Sequence, residues 1–351
     1  MLAETLKPMQ VVTFLSPRVL PSLNRSRGIT VRCVTCRQVG MASSLGTEAG
    51  KFDPPAAEPD LEGVLHKTLD LETIDVNIYR AKSANLWKPA LARFVFGGQI
   101  VGQAMVASLM TVPRDRSVHS LHAYFLKGGN PNFPVIYHVE RTRDGATYSS
   151  RTVKAIQNGD NILAMQVSCK EKEESVLSHQ YTMPDVPPPS SLLNTEQILQ
   201  KAVASSEISE FRKIAFSKLL AQEVPVELRP TEPCVYLRTV PSPPIRYIWV
   251  RAKGHIGEDM NMHQCVAAYF SDMALLGTAL NPEPKFKVSF MSSLDHSIWF
   301  HNSFHVDEWM LLEMESPQAG MGRAFSLGRL WRQDGILAAS VAQEGVIRGK
   351  L

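Results

Sequence analysis

A single carboxylate interrupts an otherwise uncharged apolar segment in the second half of the chain. Residues 265–280 (CVAAYFSDMALLGTAL) contain Asp272 and no other charged residue. In a helix, Tyr269 and Leu276 lie on the same face as Asp272, three and four positions away. A carboxylate among apolar groups loses hydration unless it lines a cavity or finds hydrogen-bond partners. We predict that Asp272 is a base facing a pocket. The alternative is an Asp that caps a local irregularity or pairs with a nearby Arg or Lys.

Two uncharged polar residues stand in segments whose alternation is typical of strands. Ser293 opens the aromatic segment SLDHSIWFH, and Gln343 lies among small and apolar residues in SVAQEGVIR. A buried amide in a strand either satisfies backbone groups or takes part in a site, and the pattern leaves both roles open for Gln343.

Three other residues near Ser293 are weaker candidates. Asp295 and His296 are chemically an acid–base pair, but neighbours in a regular strand point to opposite faces of the sheet. We therefore interpret Asp295 and His296 as part of the polar start of a strand rather than as an acid–base dyad. Because Ser292 and Ser293 lack a Gly-x-Ser-x-Gly turn, neither is predicted to be a nucleophile.

Few other motifs carry chemistry. Gly97-Gly98, where an apolar segment begins, offers backbone N–H groups to an oxyanion or phosphate, or allows close packing. His119 and His122 are expected to be structural. We predict no metal site, because no cluster of His, Cys and carboxylates has ligand spacing, and no phosphate-binding loop.

The body of the chain contains one pattern twice. An apolar helical segment is followed by an aromatic strand and three further strands, with Leu121, Glu140 and Gly159 matched by Leu294, Glu315 and Gly335 at separations of 173, 175 and 176 residues. The helices are predicted at Phe94–Leu109 and Met262–Leu280, and the aromatic strands at Ser117–Leu126 and Ser293–His301. The later strands are predicted at Val135–Glu140, Ser149–Gln157 and Asn161–Ser168, and at Trp309–Glu315, Arg323–Gln333 and Ile336–Val346.

These elements predict an α+β fold of two tandem units, each an antiparallel sheet wrapped around a central helix. Each helix is apolar on nearly every side and must be buried. The predicted organisation is an extension over 1–50, a first unit over 51–183, a Pro-rich linker and amphipathic helix over 184–222, and a second unit over 223–351.

Composition excludes several classes of protein. The chain has 351 residues, of which 44% are hydrophobic and 20% charged, as in an ordinary globular protein. The first fifty residues contribute +4 to a net charge of +3, so the body is nearly neutral and lacks the electrostatic footprint of nucleic-acid binding. No apolar stretch is long enough for a membrane helix. Five scattered cysteines favour a reducing compartment.

Six segments together resemble the double-hotdog acyl-coenzyme A thioesterases of the thioesterase II type. In order within residues 60–348 they are FGGQIVGQA, HSLHAYFLKGG, VERTRDG, CVAAYFSDMALLGTAL, SLDHSIWFH and RLWRQDGILAASVAQEGVIR. The resemblance implies hydrolysis of acyl-CoA to a free fatty acid and coenzyme A, without a cofactor. It assigns the family's catalytic Asp, hydroxyl residue and Gln to Asp272, Ser293 and Gln343. Since the offset aligns Ser120 with Ser293 and Cys169 with Gln343, we expect the first unit to lack a catalytic site.

The same resemblance bears on partners and location. It implies an acyl-CoA substrate, a homo-oligomer and a peroxisomal enzyme recognised by the import receptor. The last residues, Gly349-Lys350-Leu351, match two of the three positions of the Ser-Lys-Leu peroxisomal address. Residues 1–50, rich in Arg, Ser and Thr, keep a mitochondrial or cytosolic location open.

Two other functions remain open from the sequence. One is a hotdog-fold acyl-CoA dehydratase, for which no hydratase motif is present. The other is a non-catalytic acyl-CoA binding protein, against which the presence of Asp272, Ser293 and Gln343 argues.

Overall fold

The computed structural model describes residues 61–349, with side chains from residue 65 onward. The predicted extension over 1–50 lies outside this range, as do Lys350 and Leu351. Within it, none of the helices is both long and apolar enough to cross a membrane.

The chain forms six α-helices and thirteen strands over the described residues. The helices are α1 Leu61–Leu69, α2 Gly97–Leu109, α3 Thr195–Ala204, α4 Glu210–Leu220, α5 Pro233–Tyr236 and α6 Met260–Ser271. The strands are β1 Glu72–Asp75, β2 Ile78–Ala81, β3 Arg116–Phe125, β4 Val135–Asp144, β5 Tyr148–Gln157, β6 Asp160–Glu171, β7 Val226–Pro230, β8 Ile245–Ala252, β9 Val288–Ser293, β10 Asp295–Phe300, β11 Met310–Gly320, β12 Arg323–Arg332 and β13 Leu337–Gly349.

All thirteen strands belong to one antiparallel sheet. Its order is β1-β2-β4-β5-β6-β3-β10-β13-β12-β11-β8-β7, with β9 paired to β13. The aromatic strands β3 and β10 lie at the centre, where His122 faces Ser297 across the pairing. The two sheets predicted from the duplication are therefore joined edge to edge, which confirms the double-hotdog arrangement.

Helices α2 and α6 form the buried centre and lie against each other. Ten residues of α2 and nine of α6 are buried, as their apolar composition predicts. Glycines allow the two backbones to approach closely. A Cβ atom on Gly98 would lie 2.1 Å from the Tyr269 carbonyl oxygen, and one on Gly102 would lie 3.2 Å from the Cys265 carbonyl oxygen. Since rising residue numbers in α2 meet falling numbers in α6, the helices run antiparallel.

Three sequence predictions about element boundaries were wrong. The second central helix ends at Ser271, not Leu280, and continues as a short 3₁₀ turn over Leu276–Leu280. The predicted strand over 293–301 is interrupted at Leu294, which separates β9 from β10. The region 195–222 forms two helices, α3 and α4, rather than one.

Candidate active site

Asp272, Ser293 and Gln343 lie in mutual hydrogen-bond contact. The Gln343 Nε2 atom donates to Asp272 Oδ1 at 2.8 Å, and it also donates to Ser293 Oγ. Ser293 Oγ donates to the same Asp272 oxygen at 3.4 Å. Three side chains separated by up to 71 residues in the sequence therefore share one carboxylate oxygen.

Three separate elements position these side chains. Asp272 is the C-cap residue that directly follows α6, and Ala274 then adopts a left-handed conformation with φ of 66°, which turns the chain. Ser293 is the last residue of β9 and pairs with Gly345 of β13. Gln343 lies fully buried two residues earlier in β13, where its backbone pairs with Ser326 of β12.

The first half of the chain supplies a fourth contact. The Gly98 N–H donates to Asp272 Oδ2 at 2.9 Å. Gly98 lies in the first turn of α2, where backbone N–H groups have no partner within the helix and carry partial positive charge. A Cβ atom on Gly97 would lie 2.8 Å from the same carboxylate oxygen. Glycine at both positions therefore lets the carboxylate reach the helix end.

A chain of buried polar groups fixes the orientation of Gln343. Its Oε1 atom lies 3.3 Å from His296 Nδ1, and His296 Nε2 lies 2.8 Å from Ser271 Oγ. Because an ionised Asp272 can only accept, the NH₂ of Gln343 must face it, and Oε1 must then accept from His296 Nδ1–H. The neutral ring then has no proton on Nε2, so the Ser271 hydroxyl gives its one hydrogen to Nε2 rather than to the Ala268 carbonyl oxygen 3.0 Å away. Donation therefore runs in one direction from Ser271 through His296 and Gln343 to Asp272.

Opposing effects set the protonation of the two titratable groups. Burial raises the pKa of Asp272, and this outweighs the opposite influence of His296 and of hydrogen bonds from Gln343, Gly98 and Ser293. Burial lowers the pKa of His296, against the attraction of Asp272 and the hydrogen bond to Gln343. A neutral His296 agrees with the single Nδ1–H proton that Gln343 requires.

His296 has a role that sequence reasoning missed, because Asp295 and His296 were interpreted as the polar start of a strand and the dyad was the less favoured alternative. The two side chains do point apart. Asp295 Oδ1 accepts from the Glu344 N–H at 2.8 Å, while His296 is fully buried beside Gln343. The sequence shows a histidine three positions after Ser293, where the predicted strand begins, but it gives no sign of the contact between His296 and an amide 47 residues away.

The two histidines of β3 make structural contacts. His119 Nε2 lies 2.8 Å from Ser168 Oγ, and His122 Nδ1 lies 3.0 Å from Ser297 Oγ across the central strand pair. The Asp272 cluster therefore includes neither of them.

One group has the spacing of metal ligands but is already engaged. Ligand atoms of His263, His305 and Asp307 lie within 4.8 Å of one another. However, His263 Nδ1 accepts from the Val306 N–H at 3.1 Å, and Nε2 lies 2.8 Å from the Gly257 carbonyl oxygen, to which it donates. Both ring nitrogens of the buried histidine are thus used in holding the loops at the start of α6, which does not suit a metal ligand.

The arrangement around Asp272 suits activation of a water molecule. Oδ1 accepts from Gln343 and Ser293, whereas Oδ2 accepts from Gly98 and retains capacity for one more donor. Asp272 is half-buried, so part of the residue is open to solvent. A carboxylate with a raised pKa and fixed orientation has the properties of a general base.

Family models match both halves of the chain. Residues 85–170 match "Acyl-CoA thioesterase N-terminal domain", and residues 221–346 match "Acyl-CoA thioesterase". The first range contains Gly98, and the second contains Asp272, Ser293 and Gln343.

Curated relatives and solved structures agree with these matches. The chain is 48% identical over 309 residues to "Acyl-coenzyme A thioesterase 8" of Rattus norvegicus, covering 87% of this chain and 96% of the relative. It is 37% identical to "Acyl-CoA thioesterase 2" of Haemophilus influenzae, covering 82% of this chain and 98% of the relative. The crystal structure of the acyl-CoA thioesterase II TesB2 from Mycobacterium marinum superposes with a TM-score of 0.65 at 33% identity, covering 82% of this chain and 98% of that one.

These matches span both tandem units and select the thioesterase from the three functions that the sequence left open. The chain belongs to the acyl-CoA thioesterase family of thioester hydrolases.

Proposed function

We propose that this thioester hydrolase cleaves acyl-CoA with Asp272 as the general base that activates water. The observation that carries the proposal is the Asp272 carboxylate, which accepts hydrogen bonds from Ser293, Gln343 and Gly98. Its Oδ2 atom can accept one further hydrogen bond. Water bound to Oδ2 would be oriented as well as deprotonated, and orientation and general-base catalysis both lower the barrier.

The reaction requires no covalent intermediate on the protein. As Asp272 takes a proton from water, the water oxygen forms a bond to the thioester carbonyl carbon, and the carbonyl π electrons move to oxygen. Collapse of this tetrahedral species breaks the C–S bond, releasing the fatty acid and the thiolate of coenzyme A, which receives the proton held by Asp272. Ser293 and Gln343 hold the carboxylate in place.

An acid-to-amide substitution tests the assignment. We expect Asp272→Asn to lower turnover by about 10²–10⁴-fold, the usual contribution of a general base. Release of free thiol from acyl-CoA substrates of several chain lengths measures this. Asp295→Asn is the matched control, because Asp295 is a nearby acid whose Oδ1 contacts only the Glu344 N–H. Wild-type turnover in Asp272→Asn would contradict the assignment.

Each chain is proposed to carry one active site. In the first half, the sequence offset puts Ser120 and Cys169 at the positions of Ser293 and Gln343, and the residue that ends α2 is Met110, where α6 has Asp272. A methionine cannot act as a base. Titration of active sites with a single-turnover assay should therefore give one acid-releasing site per chain.

The cellular setting is also a proposal. A yeast relative, 28% identical over 310 residues, is named "Peroxisomal acyl-coenzyme A thioester hydrolase 1". This name supports a role in fatty acid metabolism in the peroxisomal matrix, with delivery by the peroxisomal import receptor. Imaging of the chain fused to an amino-terminal fluorescent protein, with a peroxisomal marker, tests it. A diffuse cytosolic or mitochondrial signal would contradict it.

A homo-oligomer is the remaining proposal on partners. The edge strand β9 exposes Phe290 and Met291, which a second copy would cover. Sedimentation equilibrium of the purified protein should give a mass that is a multiple of 39.0 kDa. A mass of one chain at micromolar concentration would contradict this proposal.

A further inference from the structure

A cavity of about 550 Å³ lies at the end of the central helix pair that is remote from Asp272. It is lined by Val106, Leu109 and Met110 at the end of α2 and by Met262 and Cys265 at the start of α6. Because Val106 lies eight positions after Gly98 in α2, about 12 Å of helix separates the cavity from the Gly98–Asp272 contact. The cavity is thus distinct from the candidate active site.

The cavity occupies the position that corresponds to the active site in the duplicated fold. Two antiparallel helices have two ends, and at each end one helix begins where the other stops. At one end α6 stops at Asp272 beside Gly98 of α2. At the other, α2 stops at Met110, and α6 begins after Asp259; both residues line the cavity. The duplicated fold therefore has a cavity at the position that corresponds to the active site, and Met110 stands there in place of Asp272.

The lining indicates an apolar ligand. Its size is within the range of small-molecule sites, and the side chains of Val106, Leu109 and Met262 suit an unbranched hydrocarbon chain.

The charges at the rim distinguish between two carriers of an acyl chain. Arg114 and Asp259 both line the cavity, so the rim has no net charge, and Asp259 Oδ1 already accepts from the Asn261 N–H. A free fatty acid would bring a carboxylate close to Asp259. Acyl-CoA instead brings phosphates, which match the positive charge of Arg114.

We propose that this cavity is a second, non-catalytic binding site for the acyl chain of acyl-CoA. The inference rests on the proposed function in one respect, which is that the ligand is taken to be an acyl-CoA. A molecule bound here meets Met110 instead of a base, so it is held without being hydrolysed. Each chain then binds two acyl-CoA molecules while it hydrolyses one.

Binding stoichiometry tests this proposal on the wild-type protein. The probe is the dodecyl thioether of coenzyme A, which lacks the thioester carbonyl and cannot be hydrolysed. Isothermal titration calorimetry should give two molecules per chain for the wild type and one for Val106→Phe, whose larger ring fills the cavity. Leu109→Trp fills the same space from another position, and Val176→Phe, at a fully exposed residue, is the matched control that should bind two.

Measurements of turnover distinguish a filled cavity from a variant that has failed to fold. Val106→Phe and Leu109→Trp should retain wild-type turnover at the Asp272 site, which also shows that they fold. One molecule per chain in the wild type, or two in both filled variants, would overturn the proposal. Dodecanoate should bind this cavity at least tenfold more weakly than the thioether; a cavity that takes dodecanoate and excludes the thioether would also overturn it. Wild-type turnover in Asp272→Asn would contradict the catalytic assignment without changing these stoichiometries.

Discussion

The Gly98 N–H donates to the Asp272 carboxylate at 2.9 Å, across 174 residues of sequence and between the two halves of the fold. The contact brings the positive end of α2 to the residue that ends α6. The candidate base is therefore held by both copies of the duplicated unit, although Asp272, Ser293 and Gln343 all belong to the second. Neither half alone can form this arrangement.

Gly98→Ala should disturb both stability and activity. The added Cβ atom would lie 2.1 Å from the Tyr269 carbonyl oxygen, a backbone atom that cannot move without shifting α6. We expect a loss of about 1–3 kcal/mol in the free energy of unfolding, as for other overpacked interiors, with a fall in turnover because Asp272 moves with α6. Urea denaturation and thiol release measure the two effects. Gly277→Ala is the control, since its nearest neighbour would be Arg246 Nη1 at 3.5 Å, an ordinary contact; equal behaviour of the two variants would contradict the packing argument.

The pH dependence of kcat/KM should report the raised pKa of Asp272. A general base must be ionised, so activity falls as the pH drops through its pKa. Since burial raises that pKa, the acid limb should lie above the pH expected of an ordinary aspartate. In Gln343→Met the limb should move to still higher pH, because a donor that stabilises the carboxylate is lost. An acid limb that is unchanged in Gln343→Met would exclude Asp272 as the group that titrates.

The same pKa predicts how stability changes with pH. A carboxyl group whose pKa is higher in the folded state than in the unfolded state contributes to stability. This contribution is complete below the unfolded-state pKa and is lost as the pH rises through the folded-state pKa. The stability of Asp272→Asn relative to the wild type should therefore increase as the pH is raised through that range. Thermal unfolding of both proteins over a series of pH values measures the difference.

Asp307 provides a control, because its pKa is shifted in the opposite direction to that of Asp272. Burial raises the pKa of Asp307, but hydrogen bonds from the Ile256 N–H and His255 outweigh burial and lower it. Its contribution to stability is present above the unfolded pKa and is lost as the pH falls through the folded pKa. Asp307→Asn should therefore be less stable than the wild type at neutral pH, and the difference should shrink on acidification. The same sign for both substitutions would contradict the assigned pKa directions.

His296 should act as a positioning residue. His296→Phe removes the Nδ1–H that holds Gln343 Oε1, so the amide can turn its oxygen toward Asp272. We expect kcat to fall by about 10–100-fold with little change in KM, since the reacting groups are misplaced and the substrate contacts are not. ¹⁵N NMR of the wild-type ring should show the Nδ1–H tautomer. An Nε2–H tautomer, or a variant with unchanged kcat, would contradict the direction of donation from Ser271 to Asp272.

Much of this protein follows from its sequence alone. The constant offset between Leu121 and Leu294 and between Gly159 and Gly335 reveals a duplication, because the same order of helix and strands must bury the same apolar faces twice. Asp272 is conspicuous because a charge in an apolar segment loses hydration wherever that segment folds. The sequence pattern around Ser293 and Gln343 is a weaker indication of a functional role. Their assignment to the site depended on the resemblance to a family.

Only the tertiary structure decided how these residues meet. The sequence cannot fix the end of α6 at Ser271, because the apolar run continues to Leu280, and the turn at Ala274 depends on contacts outside the helix. The contact between Asp272 and Gly98, the chain from His296 to Gln343, and the cavity at Met110 all arise between segments distant in sequence. Local periodicity determines which face of an element is buried, but the partner of each buried polar group is set by the packing of helices and strands from both halves.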